Sequence, residues 1–456
     1  MIDLSTATAT DALDALARGA ITSEALLTAQ LERVERFNPA LNAVVAMDVD
    51  GALRDARAAD EAHRQGRLTG PLHGLPMTIK DIFATRGLVT TSGHAPLSDY
   101  RPEADAPAVA ALRAAGAVVF GKTNLPEFGG DIQSYNDIFG LCRNPWNPER
   151  TAGGSSGGSG AALASGMTLL ELGSDIGGSI RVPCHYNGVF GHKPTWNAVD
   201  RFGESPRPPV WAHALMDLVV AGPMGRSVAD VRLGLDVLTA ITTGGIPGAR
   251  LPPASPRSNS ARGLRVAIHV EDPAAPTSAA CKAAVREVGA RLAAAGAQVT
   301  EPGLPGPDLA EQNALYRDLL NAAMSPGYAA SHQEWKAADE RRHRLRADYA
   351  RFFQDHDVLL APIAPTAAFP HVTEGSMGSR KLTVDGVEIS YLKHLVWAGL
   401  PTLPGLPATA VPVALSDEGL PMGLQVIGPL WADQTTLAVA GLIETLNGGF
   451  RPPPGY

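Results

Sequence analysis

Two glycine-serine runs constrain this chain more than anything else in it: Gly153-Gly154-Ser155-Ser156-Gly157-Gly158-Ser159-Gly160 and Gly173-Ser174-Asp175-Ile176-Gly177-Gly178-Ser179-Ile180-Arg181. One such run alone reads as a flexible linker. Two of them flanking an apolar helix-strand segment argue for a folded site. Glycine removes the Cβ, so backbone N–H groups can close around a reacting atom, and the serines supply the only hydroxyl nucleophiles inside the runs.

A chain of 456 residues that is 45% hydrophobic and 18% charged can bury a large core. Its net charge of −8 and 5% aromatic content argue against a nucleic-acid partner, which calls for a one-signed basic stripe with stacking aromatics. Arg341, Arg342, Arg344 and Arg346 do cluster, but Asp339, Glu340 and Asp348 sit among them, which predicts a solvated helix face. Cys142, Cys184 and Cys281 lack zinc-site spacing and read as reduced thiols. The first residues carry no export signal, which makes the cytoplasm the default location. The uncharged stretch from Trp397 to Ser416 is broken by Pro401, Pro404, Pro407 and Pro412, so it predicts a buried loop leading into a strand and no membrane span.

Apolar spacing in the first forty residues predicts an outer helical layer, taken to extend over 1–70. Strand-like and helical segments then alternate. Strands are expected at 77–79, 117–120, 169–172, 264–268, 298–300, 358–361, 408–413 and 423–427. Helices are expected at 108–115, 160–165, 308–321, 336–353 and 432–446. The alternation predicts an α/β fold, a single α/β/α layered domain over 1–456 with a central mixed sheet. Residues 244–263, rich in Gly, Pro, Ser and Arg, read as an exposed connector.

Acyl transfer from an amide needs a nucleophile, a base, an acid for the leaving amine and donors aimed at the developing oxyanion. Ser179 follows Ile176-Gly177-Gly178, whose unobstructed N–H groups can converge on a carbonyl oxygen beside the Ser179 hydroxyl. Lys80 ends the apolar run Leu75-Pro76-Met77-Thr78-Ile79, where a buried strand carries it inward and burial lowers its pKa, as a base requires. Asp81 points to the opposite face and reads as structural.

These residues resemble the amidase signature family. The resemblance runs from His73-Gly74-Leu75-Pro76-Met77-Thr78-Ile79-Lys80-Asp81, the signature core over 71–200, through Asn144-Pro145-Trp146 and both runs to Gly191-His192-Lys193-Pro194-Thr195. It returns in Gly405-Leu406-Pro407-Ala408 and Gly419-Leu420-Pro421-Met422-Gly423-Leu424-Gln425. It implies a Ser-Ser-Lys triad with Ser179 as nucleophile, Ser155 as the bridging serine behind a cis peptide, and Lys80 as base. It also implies an oxyanion hole from the N–H groups of Ile176, Gly177, Gly178 and Ser179, with Ser156 and Asp175 in support and Arg181 as an anchor. Gly129 and Ser174 correspond to positions whose carbonyls meet the leaving nitrogen. Such an enzyme takes a small-molecule amide or carbamate, needs no metal or organic cofactor, and is compatible with a homodimer.

Rival readings remain open on sequence. Gly153-Gly154-Ser155-Ser156-Gly157 also fits a G-x-S-x-G nucleophile elbow, with Ser155 attacking and Asp357 and His371 nominally completing a triad. The A component of a transamidase fits less well, because the helix before Val358 lacks that component's Glu-Val-Lys-Arg-Arg-Ile-like segment and the acidic balance disfavours a tRNA role. A non-catalytic binding scaffold is the third alternative. His73, His185, His192 and His394 read as packing histidines, and Tyr316, Tyr328, Trp335 and Trp397 as core side chains or pocket walls.

Overall fold

Short apolar segments such as 118–120 and 358–362 become strands buried on both faces, and the alternating helices supply the covers. The computed structural model describes residues 2–201, 203–204, 216–240, 260–325 and 329–456. Among them, eleven strands form the main sheet: β1 (Val44–Met47), β2 (Pro76–Lys80), β3 (Val118–Thr123), β4 (Leu170–Asp175), β5 (Phe190–Lys193), β6 (Val220–Gly225), β7 (Arg265–Ile268), β8 (Gln298–Thr300), β9 (Val358–Pro362), β10 (Ala408–Leu415) and β11 (Pro421–Ile427). Their order across the sheet is β1-β3-β2-β4-β6-β5-β10-β11-β9-β7-β8. β2 runs parallel to β3 and β4, and β7 parallel to β8 and β9. The remaining pairings are antiparallel, so the sheet is mixed, as the alternation predicts. Every residue of β2, β3, β4 and β6 is buried.

The helices are α1 (Ala9–Ala17), α2 (Ser23–Leu41), α3 (Val49–Arg64), α4 (Pro107–Ala114), α5 (Gly157–Ala164), α6 (Arg181–Asn187), α7 (Val228–Ala240), α8 (Ala279–Ala294), α9 (Leu309–Met324), α10 (His332–Asp355), α11 (Leu395–Thr402) and α12 (Asp433–Asn447). The expected helical layer over 1–70 does hold α1 to α3, but it also holds β1, which pairs antiparallel with β3 at the sheet edge. Four residues between two helices are too few for periodicity to expose a strand.

Two other expectations are corrected. The stretch from Trp397 onward begins as helix, with Pro401 inside α11. Proline lacks the N–H that would bond the Trp397 carbonyl. The Gln425 side-chain amide donates to that carbonyl instead, at 2.9 Å. The arginine-rich face of α10 is solvated only at Arg341 and Arg344. Arg342 is buried against Asp217 and Asp339, while Arg346 donates to the Pro404 carbonyl and lies over the Trp196 ring. Of the expected connector, 244–259 lies outside the described residues, as does Tyr328.

Candidate active site

Lys80 closes β2, and its side-chain nitrogen meets two hydroxyls. Nζ donates to Ser155 Oγ at 2.7 Å and to Ser174 Oγ at 3.0 Å. Burial pushes the amine from 10.5 down to about 7, against the opposing pull of Glu204, Asp175 and Glu171. Asp81 turns the other way, as strand alternation requires, and accepts from the Thr91 N–H and hydroxyl. It lies 3.9 Å from the buried Lys122 ammonium.

The first glycine-serine run delivers Ser155 to that amine. The Gly154–Ser155 peptide is cis. A side chain at Gly154 would stand 2.7 Å from the Gln133 nitrogen, so only glycine lets the two backbones pass this closely. The next residue, Ser156, stitches the runs together: its N–H donates to the Ser179 carbonyl at 3.1 Å and its hydroxyl to the Ser174 carbonyl at 3.4 Å. Gly129 lies against Ser155, for a side chain there would reach Oγ at 3.2 Å. Ser174 carries a second contact besides the expected one. Its carbonyl accepts from the Ser156 hydroxyl, and its own hydroxyl meets Lys80.

Asp175 organises the second run. Oδ1 accepts from the Gly178 N–H at 3.0 Å, and Oδ2 accepts from the Ile180 N–H at 3.1 Å. Arg181 grips both oxygens, Nη2 on Oδ1 at 2.8 Å and Nε on Oδ2 at 3.0 Å. Burial alone would raise this carboxyl, but the Arg181 charge and hydrogen bonds prevail and bring it to about 2. The remaining Arg181 donors reach Gln425 Oε1, the Ala398 carbonyl and Thr402 Oγ1, which anchors the loop to α11 and β11. One of the four expected oxyanion donors is thereby spent, because the Gly178 N–H belongs to Asp175. The N–H groups of Ile176, Gly177 and Ser179 have no hydrogen-bond partner among the described residues.

Ser179 is the outermost of the three expected triad members, 5% exposed against 2% for Ser155 and none for Lys80. Among the described residues no hydrogen bond joins the Ser155 and Ser179 hydroxyls; the Ser156–Ser179 backbone bond is what holds the two runs in register. Sequence reasoning left Tyr316 unassigned. Its buried hydroxyl donates to the Ile176 carbonyl at 2.8 Å and so fixes the loop from outside. A tyrosine 140 residues away in the chain carries no local signal of that contact.

The elbow alternative finds its nominal partners engaged elsewhere. Asp357 is bonded by the Arg265 N–H and guanidinium, and His371 meets the Pro148 carbonyl. The other histidines are packed: His185 between the Gly423 backbone and the Thr366 carbonyl, His192 between Thr409 and Asp433, His394 on the Tyr186 hydroxyl. All three cysteines are buried and free.

A family model described as Amidase matches residues 25–326 and 317–437 of this chain. The chain belongs to the amidase signature family. Curated relatives of this amidase-family chain include the A component of the glutamyl-tRNA(Gln) amidotransferase from Roseiflexus sp. (strain RS-1), 35% identical with 96% of each chain covered. Among solved structures, a crystal structure of amidase superimposes with a TM-score of 0.80 at 31% identity, covering 96% of this chain and 99% of that one. A 6-aminohexanoate cyclic dimer hydrolase bound to its substrate gives 0.81 at 26% identity, covering 99% of each. Among the described residues, no helix is long and apolar enough to cross a membrane.

Proposed function

We propose that the chain hydrolyses a small-molecule amide, or the related carbamate or ester, through an acyl-enzyme on Ser179. The observation that carries this reading is the buried Lys80 nitrogen on the Ser155 hydroxyl, 2.7 Å apart. With Lys80 neutral, the Ser155–Lys80 hydrogen bond can run in either direction, so Ser155 can hand a proton inward and later take one back.

The cycle then follows. Ser179 Oγ attacks the carbonyl carbon while its proton passes to Ser155 and on to Lys80. The N–H groups of Ile176, Gly177 and Ser179 meet the oxyanion. Ser155 returns a proton to the departing amine, which breaks the C–N bond and leaves the ester on Ser179. Water, deprotonated along the same route, cleaves that ester. Leu395 closes the side of the loop at Gly177, where any side chain would meet it at 3.1 Å, which favours an apolar acyl group.

A second reading, the A component of an amidotransferase working with a protein partner, is favoured by the similarity to the Roseiflexus chain. The acidic net charge and the lack of a Glu-Val-Lys-Arg-Arg-Ile-like segment before Val358 support the stand-alone hydrolase. The test is a panel of anilides, aliphatic amides, carbamates and p-nitrophenyl esters, with mass spectrometry of the acylated peptide. Turnover by the isolated chain with an acyl group on Ser179 is expected. An acyl group on Ser155 would revive the elbow mechanism, and no turnover or acylation would favour a component that needs its partner.

A further inference from the structure

Behind Lys80 lies a buried acid that the proposed triad does not use. Glu171 of β4 is the register partner of Thr78 in β2. Lys80 follows Thr78 by two residues and shares its face of the sheet. Thr123 of β3, the register partner of Lys80, and Ser159 of α5 complete a polar layer between sheet and helix. Glu171 is 1% exposed, and the Thr78 hydroxyl donates to its Oε1. The Thr123 and Ser159 hydroxyls lie close enough to favour its charged form, yet they bond each other at 2.9 Å and leave Oε2 without a partner among the described residues.

A bare carboxylate oxygen in a sealed layer is costly, and that cost favours the acid holding a proton. Burial raises Glu171 from 4.5 to about 7, the value to which burial lowers Lys80. Among the described residues no ion-pair contact joins the two, yet the Glu171 charge still pulls Lys80 up, against the burial that pushes it down. Groups of opposite sign that titrate together in one another's field bind protons jointly.

We propose that Glu171 is a positioning residue that shares one proton with Lys80 and so sets the pH at which the amine is free to take the proton of the attacking serine. This rests on the reading of Lys80 as base. The two make no hydrogen bond with each other, Lys80 bonding Ser155 and Ser174 and Glu171 accepting from Thr78, so the sharing is a joint titration in which one proton is held on either N or O. The other groups acting on the pair are Asp175 from β4, kept charged by Arg181, Glu204 from the segment after β5, and Lys122 from β3, which lies beside Asp81 and whose charge also favours ionised Glu171. Neither α5 nor β6 contributes a titratable side chain.

The test follows the rate at which a fluorophosphonate phosphonylates the protein between pH 5 and 10. This probe reports serine activation whatever the natural substrate. Glu171→Gln removes the competing proton site and should move the acid limb of the rate down by about one pH unit. Thr78→Val, which withdraws the hydroxyl that favours ionised Glu171, should move it the same way by less and carries the test should Glu171→Gln not fold. A rate lowered at every pH with the limb in place would mean a merely structural role and would overturn the proposal. Lys80→Ala separates the two ideas: labelling retained in that variant removes the lysine base itself, whereas labelling lost with an unmoved Glu171→Gln limb removes only the role of Glu171.

Discussion

Replacing Lys80 by methionine should make the protein more stable at neutral pH while abolishing its chemistry. Methionine fills a similar volume and carries no charge to desolvate. The folded-state value of Lys80 lies at about 7 against 10.5 for an exposed lysine. Between those limits the unfolded chain holds a proton that the native chain does not, so native stability falls as pH drops from 10.5 to about 7 and is level below. Each pH unit is worth about 1.36 kcal/mol, so the whole window amounts to about 5 kcal/mol. The variant also forfeits the hydrogen bonds to Ser155 and Ser174, about 1–3 kcal/mol together, which leaves a net gain of about 2–4 kcal/mol at pH 7. That gain should shrink by about 3 kcal/mol on going to pH 9.5 and fall to about zero there. Urea unfolding of both proteins at the two pH values measures it. A stability difference that is the same at pH 7 and 9.5 would refute the claim that Lys80 is stored neutral in a desolvating pocket.

Three further outcomes are expected. Ser155→Ala and Ser179→Ala should each lower amide turnover by about a thousandfold or more, and the double variant should be scarcely worse, because the groups act as one unit; near-additive losses in steady-state kinetics would contradict this. Arg181→Met should destabilise the fold by about 3–5 kcal/mol at pH 7 by stranding the Asp175 charge. The stability that the native pair contributes is present above 3.8 and lost as pH falls to about 2, so the deficit measured by unfolding at pH 7 should narrow in acid. Tyr316→Phe should cost about 1–3 kcal/mol by leaving the Ile176 carbonyl unpaired, and should slow acylation without weakening substrate binding, read as a fall in kcat at constant KM.

Much of this was legible in the primary structure because its signals are local. A strand of unbroken apolar residues ending in lysine has to carry that lysine inside. Glycine at 154 and 178 announces backbone in conformations or approaches that other residues resist; Gly178 sits at φ +92. Strand and helix alternation likewise predicts layers and a mixed sheet. Edge strand β1, the helix containing Pro401 and the burial of Arg342 escaped, since each is decided by a partner distant in the chain: β3, Gln425 and Asp217 respectively.

The residue types that can do the chemistry, and their order along the chain, are properties of the sequence, because they follow from side-chain composition and short-range backbone preference. Which groups meet belongs to tertiary structure alone. Only the folded sheet brings Ser174 to Lys80, takes the Gly178 N–H for Asp175, sets Tyr316 beneath Ile176 and leaves Glu171 with a bare oxygen. Those contacts depend on distance and desolvation, and both arise when segments far apart in the chain exclude water between them.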